Sequence, residues 1–91
     1  MTKDTTKLET LGRKEVLEIL ADSKDLSGRD IRKANLIKID FSGCNLAGVN
    51  FSYSNLKDCN FSNADLSGAS LWNANLEGAD LSNANLEDAD L

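Results

Sequence analysis

Histidine and proline are absent from this chain of 91 residues, and cysteine occurs only twice. Without histidine the usual general base and the commonest metal ligand are missing, which excludes a His-assisted nucleophile. Two cysteines do not build a disulfide framework. Cys44 and Cys59 instead occupy the place in a sequence period that Ala64, Ala74 and Ala79 fill, and they read as small core residues. No apolar run approaches the length of a bilayer crossing. The opening Met-Thr-Lys-Asp-Thr-Thr-Lys is followed by no apolar segment, so neither a membrane span nor a leader is expected, and the expected location is cytoplasmic. Aromatics are scarce: one Trp, one Tyr and three Phe.

Basic residues stop at Lys57. The formal charge of −5 is therefore unevenly spread: residues 1–23 carry −1, residues 24–60 carry +2 and residues 61–91 carry −6. No basic footprint for a phosphate backbone is present, so direct nucleic-acid binding is not expected.

What the chain does have is a period. Leu26, Ile31, Leu36, Phe41, Leu46, Phe51, Leu56, Phe61, Leu66, Leu71, Leu76, Leu81, Leu86 and Leu91 put a large apolar residue at every fifth position without a miss. Five residues advance a helix by about 500°, and an odd step in a strand alternates faces, so neither structure buries this stripe. A backbone that turns a corner every five residues does, because each side then aims its central residue at the axis. The residue before the central one is Asp or Asn in every unit but one, where Ser70 stands; such short polar side chains bond neighbouring backbone groups at corners. Gly28, Gly43, Gly48, Gly68 and Gly78 share the second place after the centre, where the turn calls for conformational freedom.

The units Ala34-Asn35-Leu36, Ala64-Asp65-Leu66, Ala74-Asn75-Leu76, Ala79-Asp80-Leu81, Ala84-Asn85-Leu86 and Ala89-Asp90-Leu91 carry a clear likeness. The region resembles the pentapeptide-repeat family, whose motif is Ala-Asp/Asn-Leu and two variable residues. That resemblance implies an all-β fold, a right-handed quadrilateral β-helix with four pentapeptides per turn and so about 3.5 coils over residues 24–91. Lys24 and Arg29 replace the inward small residue, so the first two units are expected to be half-formed. Residues 1–11 read as a flexible segment. Residues 12–23 read as one short amphipathic helix with Val16, Leu17 and Leu20 on its apolar side, closing the open first coil.

With four units per coil, residues twenty apart stack about 4.8 Å from each other. Leu26, Leu46, Leu66 and Leu86 make one inner column; Ile31, Phe51, Leu71 and Leu91 a second; Leu36, Leu56 and Leu76 a third; Phe41, Phe61 and Leu81 a fourth. Outside, Lys38 faces Asp58 and Lys57 faces Glu77, pairs worth at most about 0.2–1 kcal/mol each. A different side brings together Arg32, Lys33, Tyr53 and Trp72; Trp, Tyr and Arg are residue types enriched at binding hot spots, and this is the candidate protein-binding surface.

No catalytic constellation, phosphate loop or paired metal ligands occur, so no enzyme activity, cofactor or metal is expected. Calcium binding lacks the glycine-rich nonapeptide signature. The sequons at Asn50-Phe51-Ser52 and Asn60-Phe61-Ser62 are products of the repeat. The expected function is a non-enzymatic scaffold or protein-interaction module, with a protein partner. The alternative, implied by the resemblance, is a DNA-mimicking regulator of a topoisomerase-type enzyme, using the acidic stretch after residue 60. The repeat stops at a core position, Leu91, which suggests either a homodimer through the C-terminal coil or the front portion of a longer repeat protein.

Overall fold

A computed structural model describes residues 10–91. Parallel bridges join residues twenty apart from Asp25↔Asn45 through Ser70↔Asp90. Four five-residue units therefore complete one layer, and the molecule is a β-helix solenoid. No side is long enough to be a strand in its own right; each contributes one bridge and then turns.

The ladder has a fixed pattern. The central residue donates its N–H to a carbonyl in the next layer, as Leu26 does to Asn45 at 2.9 Å, and so does the residue two further on, as Gly28 does to Ala47 at 2.8 Å. The residue before the centre donates back to the layer below, as Asn45 does to Lys24 at 2.8 Å. Nearly all main-chain groups on the straight sides are thereby paired without any long strand.

Twelve of the thirteen corners close by an N–H to C=O bond across four residues, for example Cys44 to Phe41 at 3.1 Å. The third residue of every corner has positive φ, as a type II turn requires. Five are glycine; Lys33, Lys38, Tyr53, Asp58, Asn63, Asn73, Asn83 and Asp88 hold the same left-handed conformation at φ 56 to 64°. Asn and Asp adopt it readily, whereas Lys33, Lys38 and above all Tyr53 do so against their steric preference. One corner departs from the direct closure. Ser54 inserts its hydroxyl there, accepting from Ala34 N–H at 3.0 Å and donating to Ile31 C=O at 2.5 Å.

The Asp and Asn residues before each centre serve the corners as well. Their Oδ1 accepts the N–H two residues on, as in Asp40 to Ser42 at 2.9 Å and Asn45 to Ala47 at 3.1 Å. Bonds from the Ser42, Ser67 and Ser82 side chains and amides hold the Asp40, Asp65 and Asp80 carboxyls below the usual carboxylate range.

Inside, the expected columns are present, and every central residue from Leu26 to Leu71 is buried. Phe41 and Phe61 stack with centroids 5.1 Å apart and planes 6° from parallel, and Phe51 meets both edge-on at 5.6 and 5.9 Å. Cys44 and Cys59 are buried and free, as small core residues; burial pushes both thiols up, and Cys59 donates its S–H to Leu36 C=O at 2.9 Å. From Leu76 onward the inward residues are only partly buried, and Leu91 is 67% exposed.

Several expectations change at the amino end. The first two units are fully formed: Asp25 and Asp30 are bridged to Asn45 and Asn50, and Leu26 and Ile31 are completely buried. The long stem of Lys24 permits this by extending past the core, its Nζ reaching Ser42 C=O at 3.2 Å, whereas Arg29 is accommodated with its Nε buried and without a hydrogen-bond partner among the described residues. Helix α1 spans Arg13–Leu20. Val16 enters the core and Ile19 and Leu20 pack against it, while Leu17 points outward, 44% exposed. Arg13 fastens the helix to the solenoid through Asn35 C=O at 3.3 Å and Ile37 C=O at 2.9 Å. Thr10 and Leu11, read from sequence as flexible, continue the ladder: Thr10 bridges Asp30, and Leu11 N–H donates to Asp30 C=O at 2.7 Å. The remainder of that flexible segment, residues 1–9, lies outside the described residues. The Lys38–Asp58 and Lys57–Glu77 ion pairs do not form; among the described residues the ion pair is Arg32–Asp30. Exposed pairs of that kind gain too little in water to hold two long side chains still.

Phe51→Ala should cost about 3–5 kcal/mol, because three interlocked rings cannot close over the void. Ser54→Ala removes two hydrogen bonds, but a direct closure like that of the neighbouring corners would satisfy both freed backbone groups, so its net cost should be less than about 1 kcal/mol. Urea unfolding of the two variants checks the contrast. The depressed aspartates set a pH dependence: their stabilisation is present above the unfolded value of about 3.9 and is lost as pH falls through the lower folded values. A variant with Asp40, Asp65 and Asp80 all changed to Asn keeps the corner bonds that Asn45 and Asn55 already make. Its melting temperature should fall less between pH 5 and 2 than that of the parent, which is about the window those titrations occupy.

Candidate functional site

The sequence places four candidate residues on the side built by the Ile31, Phe51 and Leu71 units, and the ladder fixes their relative heights. Lys33 N–H donates to Ser52 C=O at 3.0 Å and Tyr53 N–H to Trp72 C=O at 2.9 Å, so Lys33, Tyr53 and Asn73 rise one above another, beside Arg32, Ser52 and Trp72. Because the inward residues are pinned in the core, these outward neighbours are held on a rigid frame.

Tyr53 and Trp72 meet edge to face, with ring centroids 5.3 Å apart and planes at 87°. Each remains about half exposed, at 50% and 49%. Such a pair contributes about 0.5–1.5 kcal/mol beyond area burial, which offsets part of the cost of holding Tyr53 at φ 63°. Nothing in the repeat asks for an aromatic at either place: the third corner residue is elsewhere Gly, Asn, Asp or Lys.

Arg32 and Lys33 behave differently from each other. Arg32 is committed to Asp30 in a two-pronged contact, Nε to Oδ1 and a terminal nitrogen to Oδ2, both at 2.9 Å. Partial burial works against ionisation of Asp30, but the Arg32 side chain and amide, with Thr10, outweigh it and hold the carboxyl below its ordinary range. Lys33 has no carboxylate partner among the described residues. Both line an open cleft of about 450 Å³ with Thr10, Leu11, Gly12 and Ala34. The cleft exists because the Thr10–Leu11 rung leaves the ladder at Gly12 to enter the helix, a feature sequence reasoning missed for want of any repeat signal there. A second concavity, of about 630 Å³, lies against Arg13, Lys14, Leu17, Glu18 and Ala21 on the outer side of α1.

Chemically, this side offers rings, a cation and backbone, with no nucleophile and base set together. Among the described residues no cluster of three or more Cys, Asp or Glu side chains is arranged to hold a metal ion, and no helix is long and apolar enough to cross a membrane.

The family description "Pentapeptide repeats" matches in eight copies over residues 25–63 and 59–91. Among solved structures, a pentapeptide repeat protein, Rfr23, from the cyanobacterium Cyanothece 51142 is 31% identical with a TM-score of 0.66, covering 69% of this chain and 44% of its own. A pentapeptide repeat protein from the Arabidopsis thaliana thylakoid lumen is 30% identical with a TM-score of 0.54, covering 71% of this chain and 49% of its own. The chain thus spans about half the length, or less, of these solved structures. No curated protein matches it.

Tyr53→Gly removes the ring and relieves the left-handed backbone at once. Its stability in urea should stay within about 1 kcal/mol of the parent, because the edge-to-face attraction it forgoes and the strain it relieves are of similar size. A loss above about 3 kcal/mol would make Tyr53 a structural residue like Phe51.

Proposed function

This chain belongs to the pentapeptide-repeat family, and from that premise we propose that it is a non-enzymatic protein-interaction module whose contact surface is the Arg32, Lys33, Tyr53, Trp72 side. The observation that supports this most is Tyr53. A bulky aromatic occupies a left-handed corner position that glycine or asparagine fills in most other units, and it does so half exposed and in contact with the single tryptophan. Strain of this kind persists where something other than folding selects the residue. Tyr and Trp fixed on a rigid frame also lose little conformational freedom on binding, which suits them as anchors.

In the finer architectural reading, about 3.5 right-handed coils carry this surface and α1 acts as the lid of the first coil. Burial of Val16 and the Arg13 bonds to Asn35 and Ile37 favour that role for the helix.

A second reading is mimicry of DNA towards a topoisomerase-type enzyme, favoured by the −6 charge and absence of basic residues over residues 61–91. Two of the six acids, Asp65 and Asp80, spend an oxygen on corner bonds, which weakens the phosphate-like array.

Affinity capture from a lysate with the parent and with the Tyr53→Ala, Trp72→Ala double variant separates the two. The interaction module loses its partners in the variant. Retention of every partner, together with inhibition of DNA supercoiling at low salt, would favour mimicry instead.

A further inference from the structure

In twelve of the thirteen corners, the first outward residue has its N–H taken by the Asp or Asn two positions earlier. The thirteenth carries Trp72. Ser70 stands where the others have Asp or Asn, and its hydroxyl is engaged with Ser52 Oγ at 2.8 Å. Trp72 N–H is left with no acceptor among the described residues. The corresponding bond is exposed in nine of the other twelve corners and partly buried at Ser52, Ser62 and Ser67. Trp72 itself is half exposed, which puts the spare donor on the same face as the rings.

A spare donor there is joined by a spare cation. Lys33 lies one layer below Tyr53 on the rim of the cleft, without a carboxylate partner among the described residues, and Asp30, the acid of its own unit, is neutralised by Arg32. The middle of this side therefore presents two half-exposed rings between a free amide and a free ammonium. Two layers separate Lys33 from the level of Asn73, about 10 Å. Three residues of extended chain reach that far.

We propose, resting on the reading of this side as a contact surface, that it receives an extended acidic segment of a protein partner lying along the solenoid axis. A carboxylate of the segment pairs with Lys33, an apolar side chain lies against Tyr53 and Trp72, and a main-chain carbonyl accepts from Trp72 N–H. The acceptor comes from the partner because the serine at position 70 withholds the internal one.

The test uses a blocked hexapeptide of alternating glutamate and leucine as probe, with glutamine–leucine and lysine–leucine hexapeptides as controls, titrated into isotope-labelled protein by NMR. The glutamate peptide should shift the Trp72 backbone amide and indole and bind more tightly than either control, and Lys33→Gln should abolish the preference for glutamate over glutamine. Ser70→Asn gives Trp72 N–H an internal acceptor while leaving both rings in place, and should weaken glutamate-peptide binding about threefold to tenfold, the worth of one hydrogen bond. Before any peptide is added, the Trp72 amide should exchange with solvent faster than its counterparts at Ser42 or Glu77, and Ser70→Asn should slow it. An already protected Trp72 amide, undiminished binding by the Ser70→Asn variant, no binding of the glutamate peptide, or equal binding of the controls would overturn the inference. Any of these with a continued loss of captured partners in the Tyr53, Trp72 variant would leave the interaction surface standing; no loss there would remove both.

Discussion

A left-handed residue every fifth position is the constraint from which the rest of this molecule follows. Positive φ at the third place of all thirteen corners turns the chain through a side of the square, and only that regularity makes residues twenty apart into vertical neighbours. The sequence meets the constraint twice over. Glycine, asparagine and aspartate reduce the cost of the conformation itself. In every corner but the one after Ser70, the Asp or Asn before the centre then occupies an amide that the corner would otherwise leave open. A core of single leucines and phenylalanines suffices because the main chain is already satisfied, and each layer needs only to cover the next.

Surface chemistry is subordinate to that frame. The outward places are free to vary, so whatever is costly or irregular among them carries information that the inward places cannot. Tyr53 is costly in its backbone, and Ser70 is the one departure from the rule before the centre. Both fall on the side that holds Trp72. The charged pairs across neighbouring layers, in contrast, are simply solvated, since two mobile side chains in water have little to gain from each other.

Much of this was legible in the residues themselves. The columns, the role of the glycine position, the corner bonds of Asp and Asn and the meeting of Tyr53 with Trp72 all follow from a period of five and a layer of twenty. What escaped reading lies where the period stops or where a side chain acts one layer away. Thr10 and Leu11 add a rung although no repeat motif announces it. Leu17 turns outward because the helix presents Val16 to the core, a choice made by the solenoid's end and not by the helix. Ser54 is a small residue at a small-residue place, and its insertion between Ile31 and Ala34 is decided by the geometry of the corner beneath it.

The cluster of Phe41, Phe51 and Phe61 has one more consequence. A chain built from interchangeable units can slip by five residues and still present a large apolar residue to every side, so the period by itself leaves the phase of winding degenerate. Phe41 and Phe61 in one column with Phe51 edge-on to both fit only one alignment of the coils. These rings act as index marks, selecting a single winding from several that leucine alone would permit.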